Sequence, residues 1–180
     1  LLEADSYDEQ LLAQIFNDAA RQMLIAFAQG ANLEQLGALY GVTRLEITPA
    51  DPETGAPAVM EGDHDLRERI LLAPHSFSVA GPERAYVYHA LSASADVLDA
   101  SATSPTPGQV VVSVLSRTGD GTAPGGTLAA VEAVLTDDAV RPLTDEVIVQ
   151  SADVVGFDID ADLWLFAGPD RDLILDAARA

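Results

Sequence analysis

The sequence predicts an α+β protein. We expect an N-terminal helical hairpin followed by an α-β-β-α-β-β two-layer sandwich, ferredoxin-like or permuted. Apolar residues near the N-terminus recur every three or four positions, which is the period of a helix that is buried on one face. A nearly continuous β-branched run at 110–115 is typical of a buried strand. Helical spacing returns between that run and later strand-like segments, as in a split βαβ unit.

The N-terminal hairpin is predicted from two helices. Ser6 and Glu9, a hydroxyl and a carboxyl three residues apart, have the spacing of a capping box, which predicts that the first helix begins after Ser6. The apolar stripe behind this cap continues to Phe27, and Gly30 is the expected stop of the helix. A second, short helix is expected over 33–40.

The Pro- and Gly-rich segment at 48–62 predicts a loop or linker that divides the chain. We therefore expect a helical region at 1–47, an α+β domain at 63–167, and at 168–180 the start of a helix that the end of the sequence truncates. Within the α+β domain, helices are predicted at 65–73, 82–94 and 127–137, and strands at 97–103, 110–115, 147–150 and 154–166.

The charge of the chain argues against two classes of partner. It has 29 acidic residues against nine arginines and no lysine, which gives a net charge of -20. Nucleic acids and anionic membranes are bound through Lys and Arg, so we expect neither as a partner. The absence of cysteine excludes disulfides, thiolate catalysis and iron–sulfur ligation.

The glycine-rich segment GDGTAPGG at 119–126 lies between a predicted strand and a predicted helix, where phosphate-binding loops occur. A P-loop needs a lysine to reach the phosphates, and this chain has none. We expect this segment to be a long excursion from the edge of the sheet.

Asp158, Asp160 and Asp162 resemble the opening of a calcium-binding loop. Leu163 and Pro169 occupy the positions where such a loop needs glycine and glutamate. A strand with an acidic, solvated face is the better interpretation, and we expect no metal and no cofactor.

No residue is assigned a catalytic role. None of the three histidines has a second histidine at metal-ligand spacing, and His89 is expected to pack half-buried on its helix. A GxSxG nucleophile motif is absent from the sequence. Arg67 and Arg69 are expected to pair at helical spacing with Asp63 and Asp65.

Four aromatic residues are candidates for contact with a partner: Phe16, Phe27, Trp164 and Phe166. Trp164 and Phe166 continue the acidic face of the last predicted strand rather than its core face. Rings on a solvated face are usually covered by a partner or by another element of the chain. The truncated helix predicted after Asp170 could equally cover these rings in place of a partner.

An ordered set of segments resembles a known family. NLEQLGALYGV at 32–42 precedes DLRERI at 65–70, GPERAY at 81–86, DVLDA at 96–100 and VVVSV at 110–114. In this order and spacing, the region from 31 to 150 resembles the baseplate J-like proteins of contractile-tailed phages and related injection machines.

The resemblance implies a wedge subunit of a baseplate, which is a structural role without catalytic residues. Its implied partners are other wedge and hub proteins and further copies of itself in a ring around the hub. The implied location is the virion tail baseplate, after synthesis in the bacterial host cytoplasm.

Two other functions stay open from the residues alone. A small-molecule-binding regulatory module predicts a pocket at a dimer seam. An acidic hydrolase that uses two carboxylates predicts a deep pocket with a perturbed carboxyl. A wedge subunit predicts neither pocket, but exposed apolar surface on the helical hairpin and near Trp164.

Overall fold

The structure, a computed structural model, describes residues 2–77, 81–156 and 164, with side-chain environments from Tyr7 onward. The described helices are α1 (Leu2–Arg21), α2 (Gly30–Ala38), α3 (Asp63–Leu72), α4 (Glu83–Ala93) and α5 (Gly125–Leu135). The described strands are β1 (Glu46–Thr48), β2 (Val59–Met60), β3 (Val97–Thr103), β4 (Gln109–Ser116) and β5 (Glu146–Ser151). A 3₁₀ helix, Ala73–Phe77, follows α3.

The α+β class is confirmed. The strands predicted at 97–103, 110–115 and 147–150 coincide with β3, β4 and β5 to within one residue at each end. The β-branched runs of β4 and β5, bounded by turn residues, account for the agreement of those two strands. Most of the strand predicted at 154–166, and the helix predicted at 168–180, lie outside the described residues.

The first helix is shorter at its C-terminal end than its apolar pattern predicts. It ends at Arg21, and turns occupy the segment up to Ala28. Gly30 was the predicted stop of that helix, but it opens α2 with a φ of 51°. Positive φ is a conformation that glycine adopts without the steric cost of a side chain.

Helices α2 and α3 pack together although the segment 48–62 separates them in the chain. They share a small apolar cluster with the segments that flank α2 and with the first residue after α3: Ala28, Leu33, Val42, Leu66, Ile70 and Ala73. Gly37 permits close contact, because a Cβ atom there would lie 3.0 Å from the Ile70 side chain. A single core therefore joins residues from both sides of 48–62.

The segment 48–62, predicted as a loop, contains part of a short β-hairpin. Strand β1 pairs with β2 in antiparallel register, with Glu46 opposite Met60. Glu61 follows the hairpin and accepts the backbone N–H of Leu45 at 3.2 Å.

A buried ion pair fixes this hairpin to α3. Arg69 and Glu61 are only 5% and 4% exposed, and their nearest nitrogen and oxygen atoms are 2.7 Å apart. Arg69 also donates a hydrogen bond to the backbone carbonyl of Thr43. The predicted pairing of Arg69 with Asp65 is therefore wrong, and Asp65 instead pairs with Arg117 at 2.8 Å.

The three-stranded sheet has the order β3-β4-β5, antiparallel between β3 and β4 and parallel between β4 and β5. Alternate β4 residues, Val112, Val114 and Ser116, are buried. Helices α4 and α5 cover that side of the sheet and complete the larger core, whose buried residues are Tyr86, Ala90, Leu91, Val97, Ala102, Val112, Val114, Ala123, Val131 and Leu135. This arrangement is a two-layer sandwich.

The ferredoxin-like arrangement is not confirmed. A split βαβ unit has a strand inserted between its two parallel strands. In the described residues β4 and β5 are direct neighbours in the sheet, and α5 forms the crossover between them.

Candidate interaction surface

Large apolar side chains lie exposed along α1 and the turn that follows it. Every side chain from Tyr7 to Arg21 is exposed. Phe16 is 73% exposed and Phe27 is 54% exposed. We call the following set the α1 stripe: Tyr7, Leu11, Leu12, Ile15, Phe16, Met23, Leu24 and Phe27. Exposed apolar surface of this extent marks contact sites on soluble proteins.

The two helices of the predicted hairpin do not pack on each other: within the described residues nothing covers the side chains from Tyr7 to Arg21. The apolar surface that the wedge hypothesis expects on this hairpin is therefore exposed. The N-terminal core begins only at Ala28. Leu33 of α2 packs with Leu66 and Ile70 of α3, so the apolar side of α2 is used without α1.

Arg67 holds the turn at the base of the α1 stripe. Its guanidinium donates to the backbone carbonyl of Ile25 at 2.9 Å and to that of Ala28 at 2.7 Å. The predicted pairing of Arg67 with Asp63 is therefore wrong. Gln22 reinforces the same turn, because its side-chain oxygen accepts the N–H of Gln29 at 3.0 Å. These bonds fix the backbone on either side of Phe27.

The candidate contact residues have different surroundings. Phe16 and Phe27 both belong to the α1 stripe. Trp164 is 93% exposed, as expected for a ring outside the core. Phe166 lies outside the described residues.

A polar cluster that sequence analysis missed surrounds Asp96. Its carboxylate accepts hydrogen bonds from the hydroxyls of Thr127 at 2.7 Å, Ser116 at 2.9 Å and Thr118 at 3.1 Å. Burial raises the pKa of Asp96, but these hydrogen bonds outweigh it and hold the pKa below its usual range. The donors come from β4, the loop after it and α5, so Asp96 joins three parts of the sandwich.

The hydrolase alternative predicts a carboxyl group whose pKa is raised. A pair of catalytic carboxyls needs one member with a raised pKa that can donate a proton. In the described part of the chain, each carboxyl with a shifted pKa is shifted downward: Asp51, Asp63, Asp96 and Asp120. Hydrogen bonds to the charged form lower the pKa in each case.

The cleft between α3 and the sheet does not provide a substrate pocket. It is lined by residues that include Leu45, Asp65, Leu91 and Arg117, and its volume is about 20 Å³. That volume holds about one water molecule. His89 is half-buried, as expected, and burial lowers its pKa.

The described ranges 2–77, 81–156 and 164 contain neither a metal-binding cluster nor a membrane-spanning helix. No group of three or more His, Asp or Glu side chains there is placed to hold a metal ion. No helix in those ranges is long and apolar enough to cross a membrane. The three aspartates at 158, 160 and 162 fall outside them.

Comparison with known proteins identifies two matching domains. The baseplate J-like N-terminal domain matches residues 1–51, and the baseplate J-like central domain matches residues 78–151. The chain is 47% identical to baseplate protein J of Escherichia phage P2, over 99% of this chain and 60% of that protein. The chain thus spans 60% of the length of this relative.

Proposed function

The chain belongs to the baseplate J-like family, and we propose that it is a structural subunit of a phage tail baseplate. The observation that carries this proposal is the identity of 47% to a baseplate protein over nearly the whole chain. We further propose the finer role of a wedge component, in a contractile tail or a phage-like injection machine. The protein is then made in the host cytoplasm and located in the tail baseplate.

The subunit acts by contact rather than by turnover. Phe16 and Phe27 supply one contact through the α1 stripe, because both rings are more than half exposed. Burial of a large apolar side chain stabilises an interface by about 1.5–3 kcal/mol. Trp164 and Phe166 are proposed as a second contact, and the exposed ring of Trp164 supports that assignment.

The proposed partners are other wedge and hub proteins and further copies of this chain, arranged in a ring around the hub. The net charge of -20 keeps free subunits apart in solution before they assemble. Neither nucleic acid nor a membrane is a proposed partner.

Immunogold electron microscopy of producing cells and released particles tests this function. The antibody is raised against this chain, and particles from cells that lack the gene are the matched control. We expect gold at the distal end of the tails and none on the control particles. Diffuse label in the cytoplasm, with unlabelled tails, would contradict a baseplate role.

A further inference from the structure

Leu143 is the most exposed large apolar side chain in the described part of the chain, at 94%. It lies between α5 and β5, in a turn where the N–H of Asp145 donates to the carbonyl of Pro142 at 3.1 Å. Arg141 donates to the carbonyl of Asp145 at 3.2 Å. The hydroxyl of Tyr86 donates to the Asp145 carboxylate at 2.6 Å. These bonds tie the turn to itself and to α4, so Leu143 projects from a fixed loop.

A small pocket opens at the start of α4. It lies between that helix, the end of β3 and the start of β4, and its volume is about 100 Å³. Its lining includes the apolar or aromatic residues Tyr86, Ala102 and Val110, together with Glu83 and Ser104. Small-molecule sites usually have volumes of about 300–1,000 Å³, whereas an apolar cavity of about 150 Å³ holds one benzene molecule. The pocket therefore has the size for one aliphatic side chain.

Leu143 and the pocket lie at the same end of the sandwich. Gly81 lines the pocket, and a Cβ atom at Gly81 would lie 2.9 Å from the Pro142 side chain. The N–H of Glu146, at the start of β5, donates to the carbonyl of Gly108, just before β4, at 2.7 Å. A surface with both a projecting side chain and a pocket complements itself. Two copies related by a two-fold axis place each Leu143 in the pocket of the other copy.

Charged residues at this end are also complementary. The guanidinium of Arg141 has only a loose ion pair with Asp138, at 3.9 Å. Glu83 is exposed, and none of the ion pairs within the described ranges involves it. Arg141 is two residues from Leu143 and Glu83 lines the pocket, so the same contact brings Arg141 of one copy towards Glu83 of the other. Opposite charges across an interface favour one partner and one register.

We propose that Leu143 of one copy of this chain docks in the pocket of a second copy, with Arg141 of the first beside Glu83 of the second. This inference rests on the proposed contact between copies and assigns it a surface distinct from the α1 stripe. The net charge of -20 opposes association of free copies. A contact this small therefore forms mainly where other contacts already hold copies close together.

Disulfide trapping between two variants of the purified chain tests the inference. The 180 residues contain no cysteine, so Leu143→Cys and Ser104→Cys each carry a single thiol. The two are mixed under oxidising conditions at about 0.15 M salt, where charges more than about 8 Å apart are largely screened. A disulfide requires Cα atoms about 4.4–6.8 Å apart, and oxidation accumulates even a weakly populated contact. A size tag on one variant distinguishes the mixed dimer on a non-reducing gel.

A matched control sets the background of chance collisions. Glu53→Cys places the thiol at an exposed position of the segment 48–62. We expect Leu143→Cys to give about tenfold more mixed dimer with Ser104→Cys than with Glu53→Cys. Equal yields from the two mixtures would overturn the proposal.

Charge reversal tests the pairing of Arg141 with Glu83. Glu83→Arg in the Ser104→Cys variant brings two cations together and is expected to lower the yield of mixed dimer about fivefold. Glu83 is exposed, so this replacement leaves the core intact. Arg141→Glu in the Leu143→Cys variant makes the charges opposite again and is expected to restore the yield. A yield that Glu83→Arg leaves unchanged would overturn the proposal.

These results are independent of the baseplate role, which the immunogold experiment tests in particles. A background yield of mixed dimer with gold at the tail ends would contradict this contact alone. A high yield with unlabelled tails would support the contact and contradict the proposed function.

Discussion

The carboxylate of Asp63 lies 3.0 Å from the backbone nitrogen of Gly30, thirty-three residues earlier, and accepts its N–H. Asp63 is the first residue of α3 and Gly30 is the first residue of α2, so the start of one helix caps the start of the other. Arg44 donates to the second Asp63 oxygen at 2.6 Å. The Gly30 N–H and the Arg44 guanidinium hold the pKa of Asp63 below its usual range.

Replacement of Asp63 is expected to weaken the N-terminal packing. Asp63→Ala removes the cap of α2 and one of the partners of Arg44, and should lower the free energy of unfolding by about 1–2 kcal/mol. Glu53→Ala, at an exposed site, should change it by less than about 0.5 kcal/mol. Urea denaturation measures both values. Equal stability of the two variants would show that the Asp63 contacts contribute little.

The buried pair of Glu61 and Arg69 is expected to be sensitive to loss of one partner. Arg69→Met leaves the Glu61 carboxylate buried without its cation, and should cost about 3–5 kcal/mol. The double variant Arg69→Met, Glu61→Leu leaves no unpaired charge and should recover most of that loss. A double-mutant cycle from denaturation curves measures the coupling. Additive losses would rule out a direct interaction between the two side chains.

Asp96 is expected to make stability depend on acid pH. Its pKa is lower in the folded chain than in the unfolded chain, so at acid pH the folded state binds fewer protons than the unfolded state. The stabilisation is fully present above about pH 4, the ordinary aspartate pKa, and is lost as the pH falls through the folded value. Asp96→Asn should show a smaller fall in unfolding free energy from pH 5 to pH 3. Parallel pH profiles for the two proteins would contradict the assignment.

Hydrogen exchange should show whether 48–62 separates two domains. Since Leu33 of α2 and Leu66 of α3 share one cluster, we expect amides of both helices to become exposed in a single opening event. Leu33→Ala should speed exchange in α3 as well as in α2, because a cavity in a shared core weakens both helices. Faster exchange in α2 alone would support a boundary at 48–62.

Local patterns predicted the strands well and the arginine contacts poorly. The β-branched runs of β4 and β5 are patterns of neighbouring residues, and these strands lie at the expected positions. Arg67 had acids available at helical spacing, yet it bonds the carbonyls of Ile25 and Ala28, about forty residues away. The helical spacing between Arg67 and the acids of α3 is the same whether or not the side chains pair. Only the fold brings the carbonyls of Ile25 and Ala28 within reach of Arg67.

The residues of the candidate surface were predictable from their spacing, whereas their exposure was expected only under the wedge-subunit hypothesis. The apolar spacing that identified the α1 stripe is the same for a helix that packs on its own chain and for one that packs on a partner. The structure distinguishes them because α2 packs on α3 instead of on α1. The Asp96 cluster gave no sequence signal, since its three hydroxyl donors lie 20 to 31 residues from it.

Site-specific photo-cross-linking at Phe16 in assembled particles tests most directly whether the α1 stripe is a baseplate contact. A photoreactive phenylalanine analogue replaces Phe16 in one variant and Asn17, on the opposite side of α1, in its control. We predict a cross-link from position 16 to another baseplate protein and a yield about tenfold lower from position 17. Equal yields, or no cross-link from position 16 in particles that contain the chain, would contradict a contact through this surface.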